Sequence, residues 1–201
     1  LNPFPETTMS TPKILAFGGS LRAASYNHKL ATIAAGGARG AGAQVTLIRL
    51  RDFPLPIFDQ DLEDAKGMPE NAAKLKALFA GHDGLLIASP EYNSGMTAAL
   101  KNAIDWVSRA TSDDEPPLSA LAGKTAAILA CSPGGLGGSR GLAQLRTFLE
   151  NIRVTVLPGQ VSIPKVHEIM DDDGELADAK LREQVLDLGA ALARKLADPG
   201  S

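Results

Sequence analysis

Cysteine is almost missing from this sequence. Cys131 stands alone among 201 residues, so no intrachain disulfide can form and nothing points to an oxidising compartment. The three histidines, His28, His82 and His167, lie far apart and show no metal-ligand spacing, so no metal is expected. No apolar stretch approaches the roughly 18 residues that span a bilayer, and no membrane partner is expected. Basic residues are scattered, the net charge is −3 and the sequence pI is near 5.6, so no nucleic-acid partner is expected either. The opening LNPFPETTMSTPK has neither the basic start nor the apolar run of a secretory signal. Residues 1–12 are expected to be a disordered leader, with Met9 a candidate natural start. A single domain over 13–197 and a cytoplasmic location complete the expectation.

What the chain does have is alternation. Short apolar runs at Lys13–Gly19, Gln44–Leu50, Gly84–Ser89, Thr125–Cys131 and Arg153–Leu157 read as strands. Between and after them lie segments with helical periodicity. These are Tyr26–Arg39, weakened by Gly36 and Gly37 in its interior, and Pro69–Ala80, with Leu75, Leu78 and Phe79 on one face. A third carries Leu100, Ala103, Ile104 and Val107, a fourth Leu142, Leu145, Phe148 and Leu149, and the last runs over Glu175–Leu196. Five strand–helix units in succession predict an α/β fold of three layers, α/β/α, around a five-stranded parallel sheet of order 2-1-3-4-5. Two connections are too long to be ordinary. Arg51–Pro69, stiff and partly apolar, should pack on something, whereas Ser108–Gly123 is polar and interrupted by proline.

Three turns carry the chemistry, and each follows a predicted strand: GGSLRAASYN (Gly18–Asn27), SPEYNSGMTAALKNAIDW (Ser89–Trp106) and CSPGGLGGSR (Cys131–Arg140). In the predicted order their strands 1, 3 and 4 are neighbours, so the turns converge where strand order reverses and open α/β sheets bind ligands. Ser20, Arg22, Ser25 and Asn27 offer hydroxyl, guanidinium and amide donors at the mouth of a helix, which suits a phosphate. Taken alone, the turn also reads as a solvated helix cap. Pro90, Glu91, Tyr92 and Asn93 form a stiff turn with an aromatic at its centre, and Thr97 can cap the helix after it. Ser132–Gly138 holds four glycines in seven residues, so backbone can approach a flat ligand there. Familiar phosphate signatures fail. A dinucleotide fingerprint on Gly135 and Gly137 would need glycine at Arg140, and Leu118 stands where a Walker loop ending in Gly123-Lys124-Thr125 needs one. A Cys-x5-Arg phosphatase loop would need arginine at Gly137.

Together GSLRAASYN, PEYNSGMTAALKNAIDW and SPGGLGGSR resemble the NADPH-dependent FMN reductase family. The likeness covers about Lys13 to Val156 and includes DFPLPIFDQDLE (Asp52–Glu63) after the second strand. It implies a flavodoxin-like fold, bound FMN, and hydride passing from NADPH or NADH to a small-molecule electron acceptor. That acceptor would be a quinone, free flavin, azo compound or metal oxyanion. It also implies a homodimer or homotetramer. By the same resemblance Ser20, Arg22, Ser25 and Asn27 hold the phosphate, while Pro90, Glu91, Tyr92 and Asn93 line the ribityl chain and ring. Ser132, Gly134 and Gly135 lie beside the other ring edge, and no side chain is assigned a catalytic role. Many members have proline where Thr97 stands. The chief rival is a flavodoxin-type electron carrier, but such carriers are more acidic and clamp the ring with aromatics, which make up only 4% here. A nucleotide sensor without activity is the other. Trp106, Cys131 and His28 read as helix or core residues, and DDEPP and MDDDGE as solvated acidic stretches.

Overall fold

Side chains that alternate along three central strands build two hydrophobic cores at once. The structure, a computed structural model, describes residues 11–198. In chain order its elements are β1 (Lys13–Gly18), α1 (Tyr26–Gly40), β2 (Gln44–Arg49), α2 (Gln60–Lys66), α3 (Glu70–Ala80), β3 (Gly84–Ala88) and α4 (Ala98–Val107). They continue with β4 (Thr125–Cys131), α5 (Ser139–Asn151), β5 (Thr155–Val156), β6 (Val161–Ile163), α6 (Val166–Ile169) and α7 (Ala179–Ala197). Ile14, Ala16, Leu86 and Leu129 face a core closed by α1 and α7. Leu15, Phe17, Leu85 and Ile128 face a second core closed by α3, α4 and α5. Apolar residues at every position are what a parallel strand needs when helices cover both its sides.

All strand pairs are parallel, and the order β2-β1-β3-β4-β5 is the flavodoxin-like one expected. The fifth strand differs from its prediction. Only Thr155 and Val156 pair with Thr125 and Ala126, and a sixth strand, β6, then pairs with Leu129–Cys131 of β4. Pro158 and Gly159 separate the two pieces: proline has no N–H to give the ladder, so the chain leaves β4 and rejoins it further along. The leader lies outside the described residues except for Thr11 and Pro12. Pro12 is buried and accepts the Gln44 N–H at 2.8 Å.

Of the interior glycines of α1, Gly37 has a purpose that propensity hides. A Cβ on Gly37 would lie 1.9 Å from the Leu186 carbonyl oxygen, and one on Gly189 would lie 1.9 Å from that of Ala34. Helix α7 crosses α1 with backbone against backbone, and the cost of glycine in a helix is offset by that close approach.

Both long connections are anchored. Asn102 of α4 accepts the Phe58 N–H at 2.7 Å and donates to the Pro56 carbonyl at 2.8 Å. The Trp106 indole N–H also reaches the Pro56 carbonyl at 2.8 Å, and the Phe58 ring meets Trp106 edge-on at 5.0 Å. Trp106 is therefore core, fully buried, with its one polar atom satisfied. The second connection is held by Glu115, which pairs with Lys76 of α3 and accepts the Thr111 N–H at 2.7 Å.

Candidate functional site

The three turns meet at the carboxyl ends of β1, β3 and β4, on the switch point between β1 and β3. Each is bonded to both others by a side chain. Thr97 caps α4 by accepting the Leu100 N–H at 3.1 Å and donates its hydroxyl to the Gly19 carbonyl at 2.6 Å, tying the second turn to the first. Asn27 donates to the Cys131 carbonyl at 2.9 Å and accepts the Cys131 N–H at 3.0 Å, tying the first to the third. Glu91 accepts the Gly141 N–H at 2.9 Å and the Arg140 Nε–H at 3.3 Å, tying the second to the third. The Glu91 carboxylate thereby caps α5 from outside that helix, at its positive end.

Eight of the eleven residues singled out from sequence line one cleft of about 80 Å3: Ser20, Arg22, Ser25, Asn27, Pro90, Glu91, Tyr92 and Ser132. Asn93, Gly134 and Gly135 are exposed beyond its edge and do not line it. A pocket that encloses a drug-sized ligand measures roughly 300–1,000 Å3. This cleft admits a head the size of a phosphate and leaves the rest of a longer ligand on the open surface. Beside it a shallower apolar trough of about 400 Å3 runs past Leu21, Tyr92, Thr97 and Ala99.

The head end of the cleft is built from donors. Ser25 is the N-cap of α1, accepting the His28 N–H at 3.2 Å, and Ser20 accepts the Arg22 N–H at 3.2 Å. The N–H groups of Tyr26 and Asn27 in the first turn of α1 donate to nothing among the described residues. The exposed Arg22 guanidinium likewise has no partner among them. No acidic residue stands in the first turn of α1, α4 or α5, whereas α2 and α3 have acidic first turns. The N-terminus of α1 thus keeps its positive potential for an external anion, whereas that of α5 already meets the Glu91 carboxylate. His28, behind the same turn, has its pKa lowered by burial and by Arg49, against an opposing effect of Asp52. The two leading effects both favour the neutral imidazole.

The second turn is a tight hairpin. Tyr92 and Gly95 exchange both backbone hydrogen bonds, at 2.9 and 3.1 Å, around Asn93 and Ser94 at φ 52° and 65°. Two successive positive φ angles give the type I′ turn that asparagine favours at its first corner. The Tyr92 ring stands out, 54% exposed, beside the cleft.

The third turn is pinned from beneath and bare on top. Ser132 bonds the Ile163 carbonyl and the Val166 N–H, each at 3.1 Å, and the Gly134 carbonyl accepts from Lys165 at 3.2 Å. A Cβ on Gly137, at φ 60°, would lie 2.6 Å from the Ile163 carbonyl carbon. Above that seat the successive N–H groups of Gly134, Gly135 and Leu136 donate to nothing among the described residues. This row fits the polar edge of a flat ring as the first turn fits a phosphate, so the residues present suit a mononucleotide.

Sequence reasoning missed the seat. Three residues of β6 carry too short a pattern to be recognised as a strand, and nothing local reveals that they support a loop more than twenty residues away. It also assigned Asn27 and Glu91 to a ligand without seeing that their polar atoms serve neighbouring turns. Thr97 was recognised as a cap, but not as a link.

Known proteins resemble this chain in sequence and fold. The profile of the NADPH-dependent FMN reductase family matches residues 12–168. An NAD(P)H-dependent FMN reductase of Pseudomonas aeruginosa is 37% identical over 174 residues, 86% of this chain and 89% of that protein. A quinone reductase of Escherichia coli is 35% identical over 137 residues, 68% and 69% of the two chains. Among solved structures, the flavoenzyme FerB of Paracoccus denitrificans, an NAD(P)H:acceptor oxidoreductase, superposes with a TM-score of 0.75 at 28% identity, covering 92% of this chain and 97% of that one. With its turns, its strand order and these relatives in agreement, the chain belongs to the NADPH-dependent FMN reductase family.

Proposed function

We propose that this chain is an FMN-dependent NAD(P)H oxidoreductase that passes hydride to a small-molecule acceptor. One observation carries the reading. Free donors for a phosphate and a bare row of N–H groups for a ring edge flank a single cleft that encloses only the head of the ligand. Bound FMN supplies the hydride chemistry, and the protein supplies position and electrostatics. Arg22, Ser20, Ser25 and the first turn of α1 hold the phosphate. Tyr92 and Asn93 stand at the ring, and Gly134–Leu136 direct N–H groups at an edge that gains negative charge on reduction. The open trough beside the cleft would leave room for a nicotinamide and then an acceptor to approach in turn.

The acceptor class that suits an open, side-chain-poor face is a planar quinone. Free flavin, azo compounds and metal oxyanions are the competitors to assay beside it. A cytoplasmic location and a homodimer or homotetramer belong to the same reading, and light scattering of the purified protein checks the assembly. Among the described residues no helix is long and apolar enough to cross a membrane.

Anaerobic mixing with NADPH or NADH tests the function. The FMN-loaded protein should bleach within the mixing series and recover colour on adding a quinone. A protein that binds FMN yet leaves both nicotinamides unoxidised is an electron carrier, and the proposal fails. Replacing Arg22 by alanine removes charge-assisted bonds worth about 1.5–3 kcal/mol, so FMN should bind about ten- to a hundredfold more weakly. An unchanged dissociation constant removes Arg22 from the phosphate site.

A further inference from the structure

We propose that Asn27 is a positioning residue that couples the phosphate end of the cleft to the glycine turn, and is not itself a phosphate ligand. The inference rests on the functional reading above. It starts from the ladder of β4. The register places Ala88, the last residue of β3, opposite Leu129, and Ser89 makes the last main-chain bond on that side, to the Leu129 carbonyl at 2.8 Å. Strand β4 runs on for two more residues. Backbone polar groups alternate along a strand, so Cys131 directs its N–H and C=O to the same side as Leu129, where β3 has ended. Both groups are buried there and would be left without partners.

The Asn27 carboxamide fills that gap. It accepts the Cys131 N–H at 3.0 Å and donates to the Cys131 carbonyl at 2.9 Å, a closed pair between residues 104 positions apart. A side-chain amide here does the work of one more peptide unit of β3. No other uncharged side chain of that length offers one acceptor and one donor in the same plane except aspartic acid in its protonated form. Asn27 is 5% exposed, and the two bonds to Cys131 fix the plane of its carboxamide against β4.

The placement of both ends makes this bond a coupling. Asn27 lies in the first turn of α1, whose free N–H groups face the cleft. Cys131 is the last residue before Ser132, where the glycine turn begins. Fixing Cys131 against α1 sets the height at which Gly134–Leu136 present their N–H row. A phosphate held at α1 and a ring edge held by that row are thereby joined through one side chain.

Riboflavin, which lacks the phosphate, separates the two roles. Asn27→Ala should weaken FMN and riboflavin binding by the same factor, about tenfold, leaving the ratio of their affinities within about twofold of the unchanged protein's. Arg22→Ala, the control, should collapse that ratio. The reduction potential of bound FMN should fall in Asn27→Ala, because the row no longer meets the edge that gains charge. Asn27→Gln keeps a neutral carboxamide but is one methylene too long to close both bonds to Cys131. It should show the same pattern at smaller size without adding charge beside the phosphate, and it supplies the measurement if the alanine variant does not fold. Loss of FMN binding with riboflavin binding intact makes Asn27 a phosphate ligand and overturns the inference, as does unchanged binding of both. An unsubstituted protein that binds neither flavin overturns the functional reading and this inference together, whereas normal flavin binding there with unaffected variants overturns only this one.

Discussion

Replacing Gly137 by alanine should unfold the glycine turn's seat while the same change at Gly135 should leave stability alone. Gly137 sits at φ 60°, and a methyl there would lie 2.6 Å from the Ile163 carbonyl carbon, 2.7 Å from the Pro164 nitrogen and 2.7 Å from the Ser162 hydroxyl oxygen. The left-handed backbone costs a residue with a Cβ roughly 1–2 kcal/mol. Two of the three close atoms are backbone, so the overlap is relieved only by lifting the turn off β6, and overpacking of this kind costs about 1–3 kcal/mol more. The sum is about 2–5 kcal/mol. With a urea slope of about 1–3 kcal/mol/M, the midpoint should fall by about 1 M or more. At Gly135 a Cβ meets nothing within 4 Å and φ is not positive, so Gly135→Ala should unfold within about 0.5 kcal/mol of the parent. Its methyl is added beside the N–H row, so flavin binding should weaken there instead. Urea titration of both variants without flavin, followed by flavin titration, makes the comparison. Equal stability of Gly137→Ala and its parent would refute the claim that β6 supports the turn through backbone contact.

Two further outcomes follow from titratable groups. The Glu115 carboxyl is held well below the usual carboxylate range by Lys76, with help from Ser119 and Thr111. A depressed folded-state pKa gives stability that is present above the ordinary value of 4.5 and lost as pH falls through and below it. Glu115→Gln should therefore cost about 1–3 kcal/mol at pH 7, with the gap to the parent closing in acid. Thermal melts from pH 7 down to 3 check this, and a gap that does not change with pH refutes it. Burial pushes the Cys131 thiol up to about 12 from an ordinary 9.0. The folded protein should resist iodoacetamide at pH 8 and react once unfolded in urea. The stability associated with that thiol is present below pH 9 and is lost as pH rises towards about 12. Rapid alkylation of the folded protein would show that the end of β4 opens.

The likeness of predicted and observed architecture has a simple origin. Strands buried on both faces are apolar at every position, and helices that cover them repeat every three to four residues, so GLLIA and the Leu100–Val107 stripe declare themselves locally. Strand β6 does not. Its three residues belong to the sheet because β4 outruns β5, a fact about pairing partners rather than about the segment itself. Gly37 inside α1 looks like a flaw until α7, about 150 residues later, is laid across it.

The same division runs through the site. Sequence alone determined that three turns rich in glycine, proline and small donors follow strands that a parallel order makes neighbours. It therefore pointed to the sheet edge where a ligand is expected and to the residue types offered there. It also determined the family, because those motifs lie in turns whose local chemistry is legible without the rest of the chain. Only the tertiary structure decided which donors face outward. Asn27 and Glu91 have the same hydrogen-bonding atoms whether they bind a ligand or a neighbouring turn. The partners they have are set by the end of β4, 104 residues from Asn27, and by the N-terminus of α5, 50 residues from Glu91, where backbone N–H groups would otherwise lack acceptors.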